Sequence, residues 1–130
     1  MYSIFDDDER VSFAILFGSL VNGTWSENSD VDIAIYPKRE LSVDDKLDIL
    51  FKIAKGLNTN EDRIDIVILN DLTPLELRFR IFRDGVPIIV KDVDIYRYYR
   101  DKSISMYLDF KIFKDKLNLV DKYLDKIKVD

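Results

Sequence analysis

The stretch Asp30 to Tyr36, DVDIAIY, constrains this chain more than any other. Successive side chains of a strand alternate between its faces, so Val31, Ile33 and Ile35 share one side and Asp30, Asp32, Ala34 and Tyr36 the other. The apolar side requires a core beneath it. The opposite side holds two carboxylates next to each other, which is unfavourable unless a cation lies between them. A fold that accommodates both demands buries the strand on one face and leaves its acidic end open to an ion.

The flanking segments predict an α/β domain with three or four strands. Ser12 to Gly18 (SFAILFG) is an apolar run ending at glycine, consistent with a buried strand. Ile64 to Leu69 (IDIVIL) is another, with Asp65 as its one charged residue and Ile64, Ile66 and Ile68 on the other face. Val86 to Val90 is an edge strand, because Pro87 has no N–H for an inner ladder. Ser42 and Asp45 form a shortened capping box before a helix with an apolar stripe of Leu47, Leu50, Phe51, Ala54 and Leu57, ending near Gly56. Thr73-Pro74-Leu75-Glu76 predicts a second helix with Thr73 as N-cap, a stripe of Leu75, Phe79 and Phe82, and a stop at Gly85. From Asp94, read as an N-cap, the chain is expected to be helical to its end with a break near Ser103. Along it Met106, Phe110, Phe113, Leu117, Val120, Leu124 and Ile127 keep a seven-residue repeat. Such a seam packs either on the parent domain or on a helical partner, including a second copy. Residues 1–92 therefore read as the domain and 93–130 as a helical extension.

Composition then limits the chemistry. The 130 residues include no histidine and no cysteine, which removes imidazole acid–base catalysis, thiolate nucleophiles, disulfides and His- or Cys-ligated metals. Acid–base and metal-binding work falls mainly to carboxylates. The net charge of −5 argues against general nucleic-acid binding, which needs clustered Lys and Arg. No run of apolar residues is long enough to span a membrane. The N-terminus carries Asp6-Asp7-Asp8-Glu9, read as a solvated acidic run, rather than the basic start of a signal peptide, so cytoplasmic residence is expected.

If the strands of Asp30, Asp32 and Asp65 are neighbours, three hard oxygen donors can converge, a set suited to Mg²⁺. Two such ions can stabilise the attacking and leaving oxygens of an in-line displacement at phosphorus. Gly18-Ser19, ten residues before Asp30-x-Asp32, would let the backbone approach phosphate closely and offer it N–H groups and a hydroxyl.

The stretch FGSLVNGTWSENSDVDIAIY, residues 17–36, resembles the signature of the polymerase-β-like nucleotidyltransferases. More narrowly, it is similar to the minimal nucleotidyltransferases that act as antitoxins beside HEPN-domain toxins. In those proteins Gly-Ser, ten residues and Asp-x-Asp precede a third aspartate on a later strand, the place that Asp65 occupies here. The resemblance implies the polymerase-β-like fold, a small mixed sheet flanked by helices. It implies Asp30, Asp32 and Asp65 as catalytic and metal-holding residues, Gly18 and Ser19 as nucleotide-binding residues, and Mg²⁺ and ATP as cofactor and substrate. The implied reaction is transfer of AMP to a hydroxyl, most plausibly of a tyrosine, on a HEPN-type ribonuclease toxin. This chain cannot itself be that ribonuclease, whose signature needs a histidine. Family members commonly carry a basic residue in the turn after Gly-Ser, where this chain has Leu20-Val21-Asn22-Gly23. Two other readings stand beside this one: a non-catalytic antitoxin that neutralises by occlusion, and a transferase acting on a small molecule.

Overall fold

The computed structural model describes residues 4–23 and 29–128. Its elements run in the expected order: strand β1 (Val11–Phe17), short helix α1 (Ser19–Asn22), β2 (Val31–Pro37), α2 (Val43–Leu57), a 3₁₀ turn (Glu61–Arg63), β3 (Ile64–Ile68), α3 (Leu75–Asp84), β4 (Val86–Val90) and α4 (Val93–Lys128). Residues 24–28, part of the spacer between Gly-Ser and Asp-x-Asp, lie outside the described residues.

The four strands form one mixed sheet in the order β3-β2-β1-β4. β1 is antiparallel to β2 and β4, while β2 and β3 are parallel. β4 is an edge strand, as Pro87 predicts.

Strand alternation divides the interior into two layers. Val31, Ile33, Ile35 and Ala14 pack with Ile49, Ile53 and Ala54 of α2. Phe13, Ile15, Ala34 and Leu69 pack on the other side with Ile81 of α3 and Tyr99 of α4. This second layer is aromatic. Phe13 stacks on Tyr36 at 4.9 Å and meets Tyr96 edge-on at 5.0 Å. The Tyr99 hydroxyl donates to the Asn70 carbonyl at 2.8 Å.

Helix phases differ from the sequence reading in instructive ways. The capping box of α2 is present: Asp45 N donates to Ser42 Oγ at 3.1 Å and Ser42 N to Asp45 Oδ2 at 2.9 Å. Of the expected α2 stripe, Ala54 is buried in the core and Leu50 and Leu57 pack against it, whereas Leu47 and Phe51 are 45% and 53% exposed. Ile49 and Ile53, between the expected stripe positions, take the deepest places in the layer. Before α3, Thr73 is not a helix cap. Its Oγ1 accepts from Asn70 N and donates to the Ile68 carbonyl, closing the β3–α3 loop. On α3 the fully buried residues are Arg78 and Ile81; of the expected stripe, Phe82 packs into the aromatic layer and Phe79 meets α4, both partly buried. Arg78 is held by Ser103, whose Oγ accepts from Nε at 2.9 Å, and by the Tyr99 ring at 4.6 Å.

α4 is one unbroken helix of 36 residues, about 54 Å long at 1.5 Å per residue. Ser103 does not break it, because it is buried and bonded to Arg78. Asp92, rather than Asp94, caps its start: Oδ1 accepts from Asp94 N and Ile95 N. The first turns pack through Tyr96, Tyr99 and Ser103, and Tyr107 stacks on Phe79 at 4.4 Å. Beyond that point the helix leaves the domain, and the seam from Met106 to Ile127 is exposed among the described residues.

The acidic N-terminal run is a second correction. Asp8 is buried rather than solvated, and it accepts from Arg10 Nε and Nη2, each at 2.8 Å, and from Lys52 Nζ at 3.2 Å. Arg10 also reaches Asp48 on α2 at 2.7 Å, so this network ties the start of β1 to α2. The Arg10 guanidinium holds the Asp8 carboxyl well below the ordinary range, outweighing the opposing effect of burial, and Lys52 adds to it. A depressed folded-state value stabilises the fold above the unfolded value near 3.8, and this stabilisation is lost as pH falls below it. Asp8→Asn is expected to lower stability at neutral pH by about 2 kcal/mol and to flatten the acid side of the stability–pH profile, both read by denaturant unfolding.

Candidate active site

In the parallel pairing of β2 and β3, Asp32 stands directly opposite Asp65, and Ala34 opposite Val67. Register partners in a parallel ladder share a face, so Asp32 and Asp65 both lie on the aromatic side, beyond Ala34 and Val67. Asp30 precedes the strand and is exposed, and Asp65 is exposed, while Asp32 is half-buried. Arg63 Nη2 donates to the Ser29 carbonyl at 3.0 Å, tying the approach to β2 to the approach to β3. The sheet thus brings all three sequence-predicted aspartates to one edge of the domain.

Electrostatics support their proximity. Partial burial pushes the Asp32 carboxyl above its ordinary value, and the charges of Asp65 and then Asp30 push it further. Among the described residues, no group of three or more carboxylates is already gathered at metal-holding spacing. The donor chemistry nonetheless fits Mg²⁺: hard carboxylate oxygens, with Asp32 partly desolvated and within the field of Asp65 and Asp30, favour a hard cation.

Gly18 closes the site from β1. Its φ of 78° and ψ of −153° are essentially restricted to glycine. A Cβ there would overlap Asp32 Oδ2 and lie 3.0 Å from Cγ. The glycine therefore gives the backbone its turn and gives the Asp32 carboxylate its space. Ser19, the next residue, begins α1.

A cleft of about 260 Å³ opens here, lined by Phe17, Gly18, Asn22, Asp32, Leu77, Arg80 and Asp84. Leu77, Arg80 and Asp84, spaced three and four residues apart, present one face of α3 to it. The sequence reading took only apolar residues from α3 and missed this wall. The signal that could have found it is the polar pair Arg80 and Asp84 at i, i+4, flanking the buried face of Ile81 and Leu77.

The family model described as "Polymerase beta, Nucleotidyltransferase" matches residues 1–94. The chain belongs to this family. The matched region ends where α4 begins, so the nucleotidyltransferase domain holds every site residue described above. No curated protein is recognisably similar in sequence. Among solved structures, the chain is similar to one in a crystal structure of a toxin–antitoxin with AMP-PNP, with 23% identity, a TM-score of 0.68 and 93% of each chain covered. It is also similar to a chain in the toxin–antitoxin MntA–HepT, with 20% identity, a TM-score of 0.62, and coverage of 93% of this chain and 91% of that one. A third is in the tri-AMPylated Shewanella oneidensis HEPN toxin complexed with MNT antitoxin, with 20% identity, a TM-score of 0.60, and coverage of 92% of this chain and 87% of that one. At these identities the likeness is one of fold, and it extends beyond the family match into α4.

Gly18→Ala tests the cradle. Strain at this backbone position and the clash with Asp32 are expected to cost about 1–3 kcal/mol. Mg–ATP binding, followed by calorimetry, should fall even at temperatures where the variant remains folded.

Proposed function

We propose that this protein is a Mg²⁺-dependent nucleotidyltransferase that transfers AMP from ATP to a tyrosine hydroxyl of a HEPN-type ribonuclease toxin in the cytoplasm, and so acts as its antitoxin. The observation that carries this reading is the register pairing of Asp32 with Asp65 on the face that Gly18 leaves open. Two findings support it: the family match, and the AMP-PNP and AMPylated toxin in complexes that contain similar folds.

In this reading Asp30, Asp32 and Asp65 hold Mg²⁺. The metal, when bound, supplies positive charge that offsets the phosphates and the charge developing on the leaving group. Gly18 lets phosphate oxygens approach the backbone beside Asp32, and the Ser19 hydroxyl contributes a polar contact. Asp65, exposed at the edge strand, can meet an incoming hydroxyl and take its proton. The attacking oxygen bonds to the α-phosphorus as the bond to the bridging oxygen breaks, and pyrophosphate leaves with that electron pair. Positioning and charge stabilisation supply much of the rate in a direct displacement of this kind.

The exposed seam of α4 has the length and the repeat to dock against helices of the toxin. Leu117→Asp should leave the melting temperature of the isolated chain within about 2 °C, since Leu117 lies beyond the packed turns, while weakening complex formation in analytical ultracentrifugation. Self-association of the isolated chain that Leu117→Asp abolishes would instead assign the seam to a second copy.

The reaction is tested by incubating the chain with ATP, Mg²⁺ and its co-expressed neighbour and weighing both proteins. Gain of one or more AMP units by the neighbour, abolished by EDTA and reduced about a hundredfold or more in Asp65→Asn, is the expected result. Asn22, uncharged on the cleft wall, favours occlusion as a second reading. Neutralisation that persists in Asp32→Ala without any AMP gain would support that reading and overturn the enzymatic one.

A further inference from the structure

The candidate cleft contains one cation among its described lining residues, Arg80 on α3, and we propose that Arg80 binds the β- and γ-phosphates of the nucleotide, the part that leaves as pyrophosphate. This inference rests on the nucleotidyltransferase reading above and adds to it a residue that lies far from the Gly-Ser and Asp-x-Asp motifs.

The three arginines of α3 have different surroundings. Arg78 is buried, spent on Ser103 and the Tyr99 ring. Arg83 is bound to Asp84 through Nε at 2.9 Å and Nη2 at 2.7 Å, and its guanidinium lies over the Phe79 ring at 5.5 Å. Arg80 is exposed, lines the cleft, and makes no hydrogen bond or ion pair among the described residues; its charge is felt by the Asp84 carboxyl, which Arg83 holds more strongly. Asp84, one turn further on and also in the cleft, is its natural i+4 partner, but Arg83 already holds that carboxylate. Arg80 therefore acts on Asp84 through its charge alone, and no described residue uses its N–H donors, which leaves them to take an anion.

The charge balance of the cleft gives this freedom a use. Asp32 is in the wall, with Asp65 opposite it in the sheet and Asp30 close enough to raise its proton affinity. The turn after Gly18 contributes Asn22, which is uncharged. A polyphosphate entering this space meets carboxylates on the β2 side. Arg80, across the cleft on α3, is the side chain able to meet phosphate oxygens with a planar pair of N–H donors. The geometry divides the site in two: carboxylates with their metal on the sheet, and a guanidinium on the helix for the leaving end.

Calorimetric titration of Mg–ATP into the full chain and into Arg80→Gln and Arg80→Lys, each at several ionic strengths, tests this. Thermal melts of both variants should match the parent closely, because Arg80 is exposed and makes no hydrogen bond among the described residues. Arg80→Gln is expected to bind Mg–ATP about tenfold or more weakly and with a shallower salt dependence, and Arg80→Lys to keep the salt dependence of the parent. Binding by Arg80→Gln equal to the parent, or weaker with an unchanged salt dependence, would overturn the assignment. Absence of Mg–ATP binding by the parent itself would instead overturn the nucleotidyltransferase reading on which the assignment depends.

Discussion

The parallel pairing of β2 with β3 is the constraint on which the site depends. Its register sets Asp32 opposite Asp65, and a slip of one residue would turn Asp65 toward Ile33 and the aliphatic layer. What prevents the slip is the aliphatic layer itself. Ile33 and Ile35 on β2 and Ile64, Ile66 and Ile68 on β3 all pack toward α2, and none can leave that face without exposing apolar surface. The same alternation that builds the core thus delivers the acids to the other side. Repulsion between the carboxylates is the local cost of that arrangement, visible in the raised proton affinity of Asp32.

Around this pair the chain uses charge in two separate ways. Near the start of β1, Asp8, Arg10, Lys52 and Asp48 satisfy one another and fasten the sheet to α2. At the cleft the balance differs: among the described residues Asp32 is held by no cation on the sheet, and Arg80 on α3 meets Asp84 through charge alone, with no hydrogen bond. The first pattern stabilises the fold. The second is what a site that binds a metal-complexed anion requires.

Much of this was legible in the sequence, and what was not has a physical reason. The order of elements, the two-faced character of β2 and β3, and the α2 capping box follow from local rules, and all three appear in the structure. Gly18 was marked as a point of close approach, and the structure adds that the group it approaches is Asp32. Helix phase was read less well. Leu47 and Phe51 carry the apolar spacing of core residues, yet Ile49 and Ile53, which no simple stripe singles out, take the fully buried places on α2. Asp8 and Arg78 escaped for a different reason. Burial of a charged residue depends on partners distant in sequence, Lys52 in one case and Ser103 in the other, and no local pattern announces them. The role of Arg80 was hidden likewise, since three arginines in ten residues differ only in what each one faces.

The central claim is that Asp30, Asp32 and Asp65 form a single divalent-cation site. Mn²⁺ accepts the same oxygen ligands as Mg²⁺ and is paramagnetic, so it can report its own position. Substoichiometric Mn²⁺, added with ATP to protein carrying ¹³C-labelled aspartate carboxyls, should broaden the signals of these three residues ahead of every other aspartate. Uniform broadening, or earlier loss of the acids at Asp6 and Asp7 or on α2, would contradict the account.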